Sequence, residues 1–140
     1  MSRALGIDFG TRRIGLALSD PTGTLASPLP FLENTSIPEV ISRLKELLQS
    51  HGVETIVVGL PRNMDGTYGP SAGKVREFIS QIQPQLSAKI VTQDERLTTA
   101  QAARGLSQIG LSQRELRKKV DSSSASLILQ QFLDRNQLHP

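Results

Sequence analysis

Two strand-like segments of the chain are separated by only three residues. Segments 3–9 (RALGIDF) and 13–19 (RIGLALS) are rich in apolar residues and flank Gly10, Thr11 and Arg12. A connection this short joins antiparallel neighbours, because parallel strands need a crossover of about a dozen residues or more. The two segments are therefore predicted to form a β-hairpin.

The segment that follows this hairpin contains two prolines. Residues 25–33 have the composition of a strand, but Pro28 and Pro30 cannot donate main-chain hydrogen bonds to a second neighbouring strand. We therefore expect an edge strand or an extended arm here.

Helix and strand patterns alternate over the remaining sequence. A helix is predicted after Ser36, because Ser36 and Glu39 have capping-box spacing and apolar residues recur at helical intervals up to Gly52. Further strands are predicted at 53–60 and 88–93, and further helices at 72–82, 97–109 and 121–135. This order predicts an α/β fold: a mixed sheet of antiparallel hairpin strands plus parallel strands, with helices on both faces. We expect residues 1–140 to form a single domain, since this length is close to the commonest domain size.

The composition excludes several classes of protein. The chain has no cysteine, so disulfide frameworks, thiolate zinc sites and thiol nucleophiles are excluded. No apolar run approaches the ~18–20 residues that a membrane span needs, and the N-terminal sequence lacks the pattern of a signal peptide. We therefore expect a cytoplasmic protein with no membrane partner.

Positive charge is concentrated in one part of the sequence. The chain carries 16 Lys and Arg against 13 Asp and Glu, a net charge of +3. Residues 96–119 contain one acidic residue and six basic ones: Arg96, Arg104, Arg114, Arg117, Lys118 and Lys119. Such a stretch is typical of a protein that binds nucleic acid, although a solvated helix face has the same pattern. Residues 110–119 are polar, basic and without regular periodicity, and we predict a mobile loop until nucleic acid binds.

Asp8 lies inside an apolar strand, where charged residues are rare. Alternation places it on the same face as Ala4 and Gly6, and we expect these small neighbours to leave open space above the carboxylate. A buried carboxylate is costly unless it is hydrogen-bonded, paired or bound to a cation. Asp8 is therefore either a sheet-edge residue hydrogen-bonded to a nearby loop or a ligand in a functional site.

Further acidic residues stand at the ends of predicted elements. Asp94 and Glu95 follow a strand at the end where ligand sites of α/β sheets collect, but they would also suit the first turn of the next helix. Asp121 suits the N-cap of the final helix, yet it shares the inward face of Ala125 and Ile128.

Three converging carboxylates would suit hard divalent cations. Asp8, one residue of the pair 94–95 and Asp121 would together offer the oxygen ligands that Mg²⁺ prefers. Two such ions can activate water and stabilise the leaving oxygen in phosphodiester hydrolysis. His51, at a predicted helix end, and His139 are not placed as ligands or bases, so the predicted chemistry depends on metal and carboxylates.

Four motifs of the chain resemble the YqgF/RuvX family. They are GIDFGTRRIGLALSD at 6–20, VVGLPRNMDGT at 57–67, DERLTT at 94–99 and VDSSSASLILQQFLD at 120–134. Members of this bacterial family are described as Holliday junction resolvases and as pre-16S rRNA nucleases. The resemblance implies an RNase H-like fold, nuclease activity and dependence on Mg²⁺ or Mn²⁺, with two ions expected.

The resemblance also implies roles for individual residues. By motif position, Asp8, Glu95 and Asp121 would form the catalytic, metal-binding triad. The implied substrate-binding residues are Thr11 and Arg96 at the scissile phosphate, and Arg12 and Arg62 at the nucleic-acid backbone. To these the charge pattern adds Lys118 and Lys119. The stretch 122–126 (SSSAS) departs from the family's usual form, which carries an Ala pair.

The main functional hypothesis is a metal-dependent nuclease that processes the 5′ end of pre-16S rRNA in ribosome biogenesis, with ribosome-assembly components as further partners. The first alternative is a Holliday junction resolvase acting on branched DNA, for which a homodimer is expected, whereas a monomer suffices for trimming one RNA end. The second alternative is a non-catalytic RNA-binding assembly factor.

Two other possibilities are weakened by size and composition. The string DFGT at 8–11 resembles the phosphate loop of actin-like and sugar-kinase ATPases, but a chain of 140 residues is too short for their two domains. Four Phe, one Tyr and no Trp offer few rings for base stacking, so contacts to the shape and backbone of a duplex are expected instead. Tyr68 is the one ring predicted to be exposed.

Overall fold

A computed structural model of the chain describes residues 3–61, 68–94 and 124–135. Five strands form one sheet: β1 (Arg3–Asp8), β2 (Arg13–Ser19), β3 (Ala26–Glu33), β4 (Val53–Leu60) and β5 (Lys89–Asp94). Their order across the sheet is β3-β2-β1-β4-β5. The first three strands form an antiparallel meander, and β4 and β5 extend it in parallel. The predicted mixed sheet is confirmed.

The pairing register places the carboxyl ends of three strands at one edge of the sheet. Ile7 in β1 lies opposite Val58 in β4, and Leu60 in β4 lies opposite Asp94 in β5. Leu60 and Asp94 end their strands, Ile7 is one residue from the end of β1, and Val58 is two residues from the end of β4. The carboxyl ends of β1, β4 and β5 therefore lie at the same edge of the sheet, here called the carboxyl edge.

Helix α1 (Ile37–His51) begins and ends where its capping residues predict. The Ser36 hydroxyl accepts a hydrogen bond of 3.3 Å from the Glu39 amide. Gly52 ends α1 in the left-handed conformation at φ 64°, which glycine adopts without a Cβ penalty. Helix α2 (Pro70–Ile82) begins two residues earlier than predicted, because Pro70 suits the first helical position.

A third helix, α3, covers residues 124–135. It agrees with the predicted final helix over the residues that the structure describes. The predicted helix at 97–109 and the predicted loop at 110–119 lie outside the described residues.

Two hydrophobic cores lie on opposite faces of the sheet. One is formed with α1 and α2 and includes Leu5, Ile7, Leu44, Val58 and Phe78. The other is formed with α3 and consists of Ala4, Ala17, Val57, Ala125, Ile128, Leu129 and Leu133. Helices therefore cover both faces, as predicted, and alternation along each strand divides its side chains between the two cores.

Strand β3 lies at the edge of the sheet, as its prolines predict. Pro28 is paired in register with Ala17 of β2, while the other side of β3 has no neighbouring strand among the described residues. Missing N–H groups at Pro28 and Pro30 make this edge a poor template for pairing with a further strand.

Helix α3 approaches β1 closely at Gly6. A Cβ atom at Gly6 would stand 2.8 Å from the Leu129 Cβ and 2.9 Å from the Ala125 carbonyl oxygen. The small residues on this face of β1 therefore admit a helix at Gly6. Ala4 and Gly6 are both buried beneath it.

The loop between β2 and β3 is organised by one carboxylate. Asp20 Oδ1 accepts from the amides of Thr24 at 2.8 Å and Leu25 at 3.1 Å, and its Oδ2 accepts from the Thr22 hydroxyl at 2.6 Å. The Thr22 hydroxyl, followed by the Leu25 and Thr24 amides, lowers the pKa of Asp20 below its ordinary value.

Among the described residues, no helix combines the length and the apolar character needed to cross a bilayer.

We predict that Gly6→Ala destabilises the protein. The added methyl group must displace Leu129 or the α3 backbone, which should lower the free energy of unfolding by about 1–3 kcal/mol, measured by urea denaturation. The matched control is Gly73→Ala, because a Cβ at Gly73 of α2 has no atom within 4 Å. The control should raise stability by up to about 1 kcal/mol, and equal effects of the two substitutions would contradict the close packing at Gly6.

We also predict a pH-dependent effect of Asp20→Asn. Because the folded-state pKa of Asp20 is lowered, its carboxylate contributes stability above the unfolded-state pKa and loses it as pH falls through the folded-state value. The variant should unfold at lower urea concentration than wild type at pH 7, and the gap should close as pH falls through the lowered folded-state pKa of Asp20. A gap of constant size across this range would contradict the role of the charged form.

Candidate functional site

Asp8 is the last residue of β1, at the carboxyl edge. It lies opposite Gly15 of β2, and its neighbour Ile7 lies opposite Val58 of β4. The residue is half-buried. Alternation from Ile7, which is buried in the core beneath α1 and α2, places the Asp8 side chain on the α3 face. This carboxylate therefore stands in the middle of the sheet, on the same face as Gly6.

Strand β5 brings a second acidic segment to the carboxyl edge. Asp94 is half-buried and ends the strand opposite Leu60. Gln93, 5% exposed, lies on the α3 face and its Nε2 donates to Gln131 Oε1 of α3 at 3.3 Å. Glu95 is the next residue after Asp94 in the sequence, but it lies outside the described residues.

Side-chain amides attach α3 to both sides of the sheet. Gln130 Oε1 accepts from the Ala26 amide at the start of β3, and its Nε2 donates to the Thr24 carbonyl, both at 2.9 Å. On the other side Gln131 contacts Gln93 of β5. With Leu129 seated over Gly6 between them, these contacts fix the rotation and the height of α3.

The turn between β1 and β2 is held tightly against β3. A Cβ at Gly10 would overlap the Arg13 carbonyl oxygen, so only glycine fits this backbone. Asn34, just after β3, donates from its Nδ2 to the Gly10 carbonyl and from its main-chain N–H to the Arg12 carbonyl, both at 2.9 Å. The turn thereby presents Thr11 and Arg12, both exposed, close to the carboxyl end of β1.

The structure describes three of the predicted site residues and brings them to one edge of the sheet: Asp8, Thr11 and Arg12. The other six lie outside the described residues: Arg62, Glu95, Arg96, Lys118, Lys119 and Asp121. Within residues 3–61, 68–94 and 124–135, no three acidic or histidine residues are grouped as a metal site would require.

Four residues that support this site were not singled out from the sequence. Asn34, Gln93, Gln130 and Gln131 are polar residues whose side-chain partners in other elements lie 24 to 106 positions away along the chain. No sequence signal marked them: β5 (KIVTQD) has three other polar residues besides Gln93, so its buried amide does not stand out.

Solved structures share this fold across nearly the whole chain. Thermus thermophilus RuvC, solved in complex with a Holliday junction substrate, aligns with a TM-score of 0.60 and 13% identity, covering 99% of this chain and 98% of that one. The large terminase nuclease of the thermophilic phage G20c aligns with a TM-score of 0.55 and 13% identity, covering 91% of this chain and 80% of that one. The fold is therefore the RNase H-like fold of RuvC-type nucleases.

Sequence comparison narrows this class to one family. The family model described as "RuvX: Holliday junction resolvase" matches residues 2–135. The chain belongs to the RuvX family, and the family resemblance of the four motifs is confirmed.

Curated relatives cover almost the same length. A protein of Moorella thermoacetica is 44% identical over 133 residues, 95% of each chain, and one of Desulforudis audaxviator is 41% identical over 132 residues, 94% of each chain. Both are named "Putative pre-16S rRNA nuclease".

We predict that Gly10→Ala disturbs the turn that carries Thr11 and Arg12. The new methyl group cannot coexist with the Arg13 carbonyl, and the backbone shift should lower the free energy of unfolding by about 1–3 kcal/mol. The neighbouring control Thr11→Ala removes an exposed side chain and should stay within about 0.5 kcal/mol of wild type. Urea denaturation measures both, and a wild-type stability of Gly10→Ala would rule out this steric constraint.

Proposed function

We propose that the chain is a divalent-metal-dependent nuclease that hydrolyses phosphodiester bonds of structured nucleic acid and processes the 5′ end of pre-16S rRNA. The observation that carries this proposal is the pair of near-full-length relatives named as pre-16S rRNA nucleases, at 44% and 41% identity. The position of Asp8 at the carboxyl edge, in the middle of the sheet, supports it, because α/β sheets bind their ligands beyond the carboxyl ends of their strands.

The proposed catalytic carboxylates are Asp8, Glu95 and Asp121. Asp8 ends β1, Glu95 is the next residue in the sequence after Asp94, the last of β5, and Asp121 stands three positions before Ser124, the first described residue of α3. The contacts at Gly6, Gln130 and Gln131 hold α3 over the same face of the sheet as Asp8.

This donor set fits Mg²⁺ or Mn²⁺. All three side chains are carboxylates, and hard divalent cations prefer oxygen ligands. Bound together, two ions would supply an activated water and charge stabilisation for the leaving oxygen. Of the three, Asp8 stands in a strand that pairs with β2 on one side and β4 on the other, so it needs little rearrangement when substrate arrives.

The remaining predicted residues would hold the substrate. The Thr11 hydroxyl and the Arg96 guanidinium would bind the scissile phosphate, and Arg12 and Arg62 the neighbouring backbone. Lys118 and Lys119, in the proposed loop 110–119, would contact backbone phosphates further from the scissile one. Such contacts read charge and shape rather than base identity, so they suit structured RNA or branched DNA alike.

A monomer of one domain would suffice for trimming an RNA end. We place its action in the cytoplasm beside ribosome-assembly components, in keeping with the rRNA substrate named for its relatives.

Resolution of Holliday junctions is the second candidate function. The family model's own description and the RuvC-type fold favour it. It would require two cuts and hence a homodimer. Purified protein assayed with Mn²⁺ on a 5′-extended pre-16S rRNA fragment and on a four-way DNA junction separates the two: cleavage of the junction alone would overturn the rRNA assignment.

We predict that Asp8→Asn abolishes metal-dependent cleavage and leaves nucleic-acid binding within about twofold of wild type. The substitution removes a negative oxygen ligand while keeping the shape of the side chain. Gel-based cleavage and fluorescence anisotropy measure the two effects, and EDTA should reproduce the loss of cleavage in wild type.

The matched control is Glu54→Gln, an exposed carboxylate at the start of β4, at the opposite edge of the sheet. It should cleave like wild type. Undiminished cleavage by Asp8→Asn would contradict the catalytic role. Binding without cleavage in every metal tested would instead support a non-catalytic RNA-binding assembly factor.

A further inference from the structure

A recess opens beside the carboxyl end of β1, on the face of the sheet opposite to Asp8. Its volume is about 280 Å³, and it lies between the β1–β2 turn, Asn34 and helix α2. Six of its lining residues matter for what it can bind: Phe9, Thr11, Asn34, Lys74, Glu77 and Gln81.

The floor of the recess is aromatic. Phe9 packs on Phe78 with 4.6 Å between ring centroids and 36° between ring planes. Phe78 is 2% exposed and belongs to the core, whereas Phe9 is only half-buried and lines the opening. An aromatic ring held rigidly from behind is the kind of surface on which nucleobases stack.

The rim of the recess is polar and of mixed charge. Lys74, Glu77 and Gln81 are exposed on α2, and Asn34 is fixed in place by its bond to the Gly10 carbonyl. The Glu77 carboxylate would repel a bare phosphate, but carboxylates accept hydrogen bonds from the exocyclic amino groups of bases. The amides of Asn34 and Gln81 offer donors and acceptors for the edge of a base, and Lys74 offers a charge for its phosphate.

The size and position of the recess agree with this chemistry. Its volume is at the lower limit of the ~300–1,000 Å³ of small-molecule pockets, so it suits a single base rather than a larger ligand. Phe9 directly follows Asp8 in the chain, and Thr11 belongs both to the recess and to the proposed phosphate site.

We propose that this recess holds one unpaired nucleobase of the substrate, next to the phosphodiester that is cleaved. The inference rests on the proposed nuclease function and deepens it. It adds a preference for a substrate with an unpaired or extrudable nucleotide beside the cleavage site. The scarcity of aromatic residues agrees with capture of a single base rather than of a stacked strand.

The experiment uses the full chain carrying Asp8→Asn, so that binding is measured without cleavage. The probes are a short RNA stem with a single-stranded 5′ extension and its DNA equivalent, each also made with one abasic residue at successive extension positions. Fluorescence anisotropy gives the affinity. At one position the abasic residue should weaken binding at least about fivefold, since base–aromatic stacking accounts for at least this much.

Variants of the recess connect that effect to its residues. Phe9→Leu, which keeps an apolar side chain, and Gln81→Ala, on an exposed helix face, should each weaken binding of the intact probe. Neither should weaken binding further when the base at the critical position is absent. The controls Phe31→Leu and Gln49→Ala, another half-buried ring and another exposed helical glutamine, should leave both affinities unchanged.

Several results would overturn the proposal. The first is an abasic scan in which no position changes the affinity. The second is a loss of affinity in the recess variants that is equal on intact and abasic probes. The third is that neither the RNA nor the DNA probe binds. The proposed cleavage is tested separately with the wild-type chain and Mn²⁺. A base-dependent affinity without cleavage would therefore retain the recess and reject the nuclease function, and cleavage without base dependence would do the reverse.

Discussion

The contact between Gly6 of β1 and Leu129 of α3 is the constraint on which the α3 side of the molecule depends. A Cβ at Gly6 would stand 2.8 Å from the Leu129 Cβ, so the helix rests on the strand at a distance that any larger residue would forbid. Protein interiors are packed to nearly crystalline density, so there is no slack at this contact and the position of β1 fixes the position of α3. Because Asp8 follows Gly6 on the same face, the height of α3 above β1 also sets the space around that carboxylate.

Side-chain amide hydrogen bonds fix the rotation and the lateral position of α3, which the contact at Gly6 alone does not determine. A helix lying on a smooth apolar face can slide or rotate at little cost, since hydrophobic burial is non-directional. Gln130 bonds to main-chain groups at Thr24 and Ala26 on one side of the sheet, and Gln131 to Gln93 on the other. Gln93 is buried and Gln130 and Gln131 are half-buried, so a displacement of α3 that breaks these bonds has a cost, which is greatest at Gln93.

The two faces of the sheet have different roles at the carboxyl edge in the proposed function, one in metal binding and the other in base binding. On the α3 face Asp8 offers hard oxygen ligands, and on the α2 face Phe9, Gln81 and Asn34 line a recess suited to a base. The turn Gly10–Arg12, held by Asn34, joins the two faces. RNA and DNA both contain the phosphodiester that the carboxylates would act on. The choice between pre-16S rRNA and a Holliday junction must therefore come from contacts outside the carboxylates.

Local patterns in the sequence were enough for the order of the described strands and helices, the caps at Ser36 and Gly52, the edge position of β3 and the place of Asp8 in the first strand. Each depends on residues a few positions apart: alternation, helical spacing, a missing N–H or a left-handed glycine. Local patterns could not predict three features: the contact of α3 with Gly6, the hydrogen bonds of Gln130 to the sheet, and the recess at Phe9. They arise between residues up to about 120 positions apart, and only the packing of particular helices on particular faces brings those residues together.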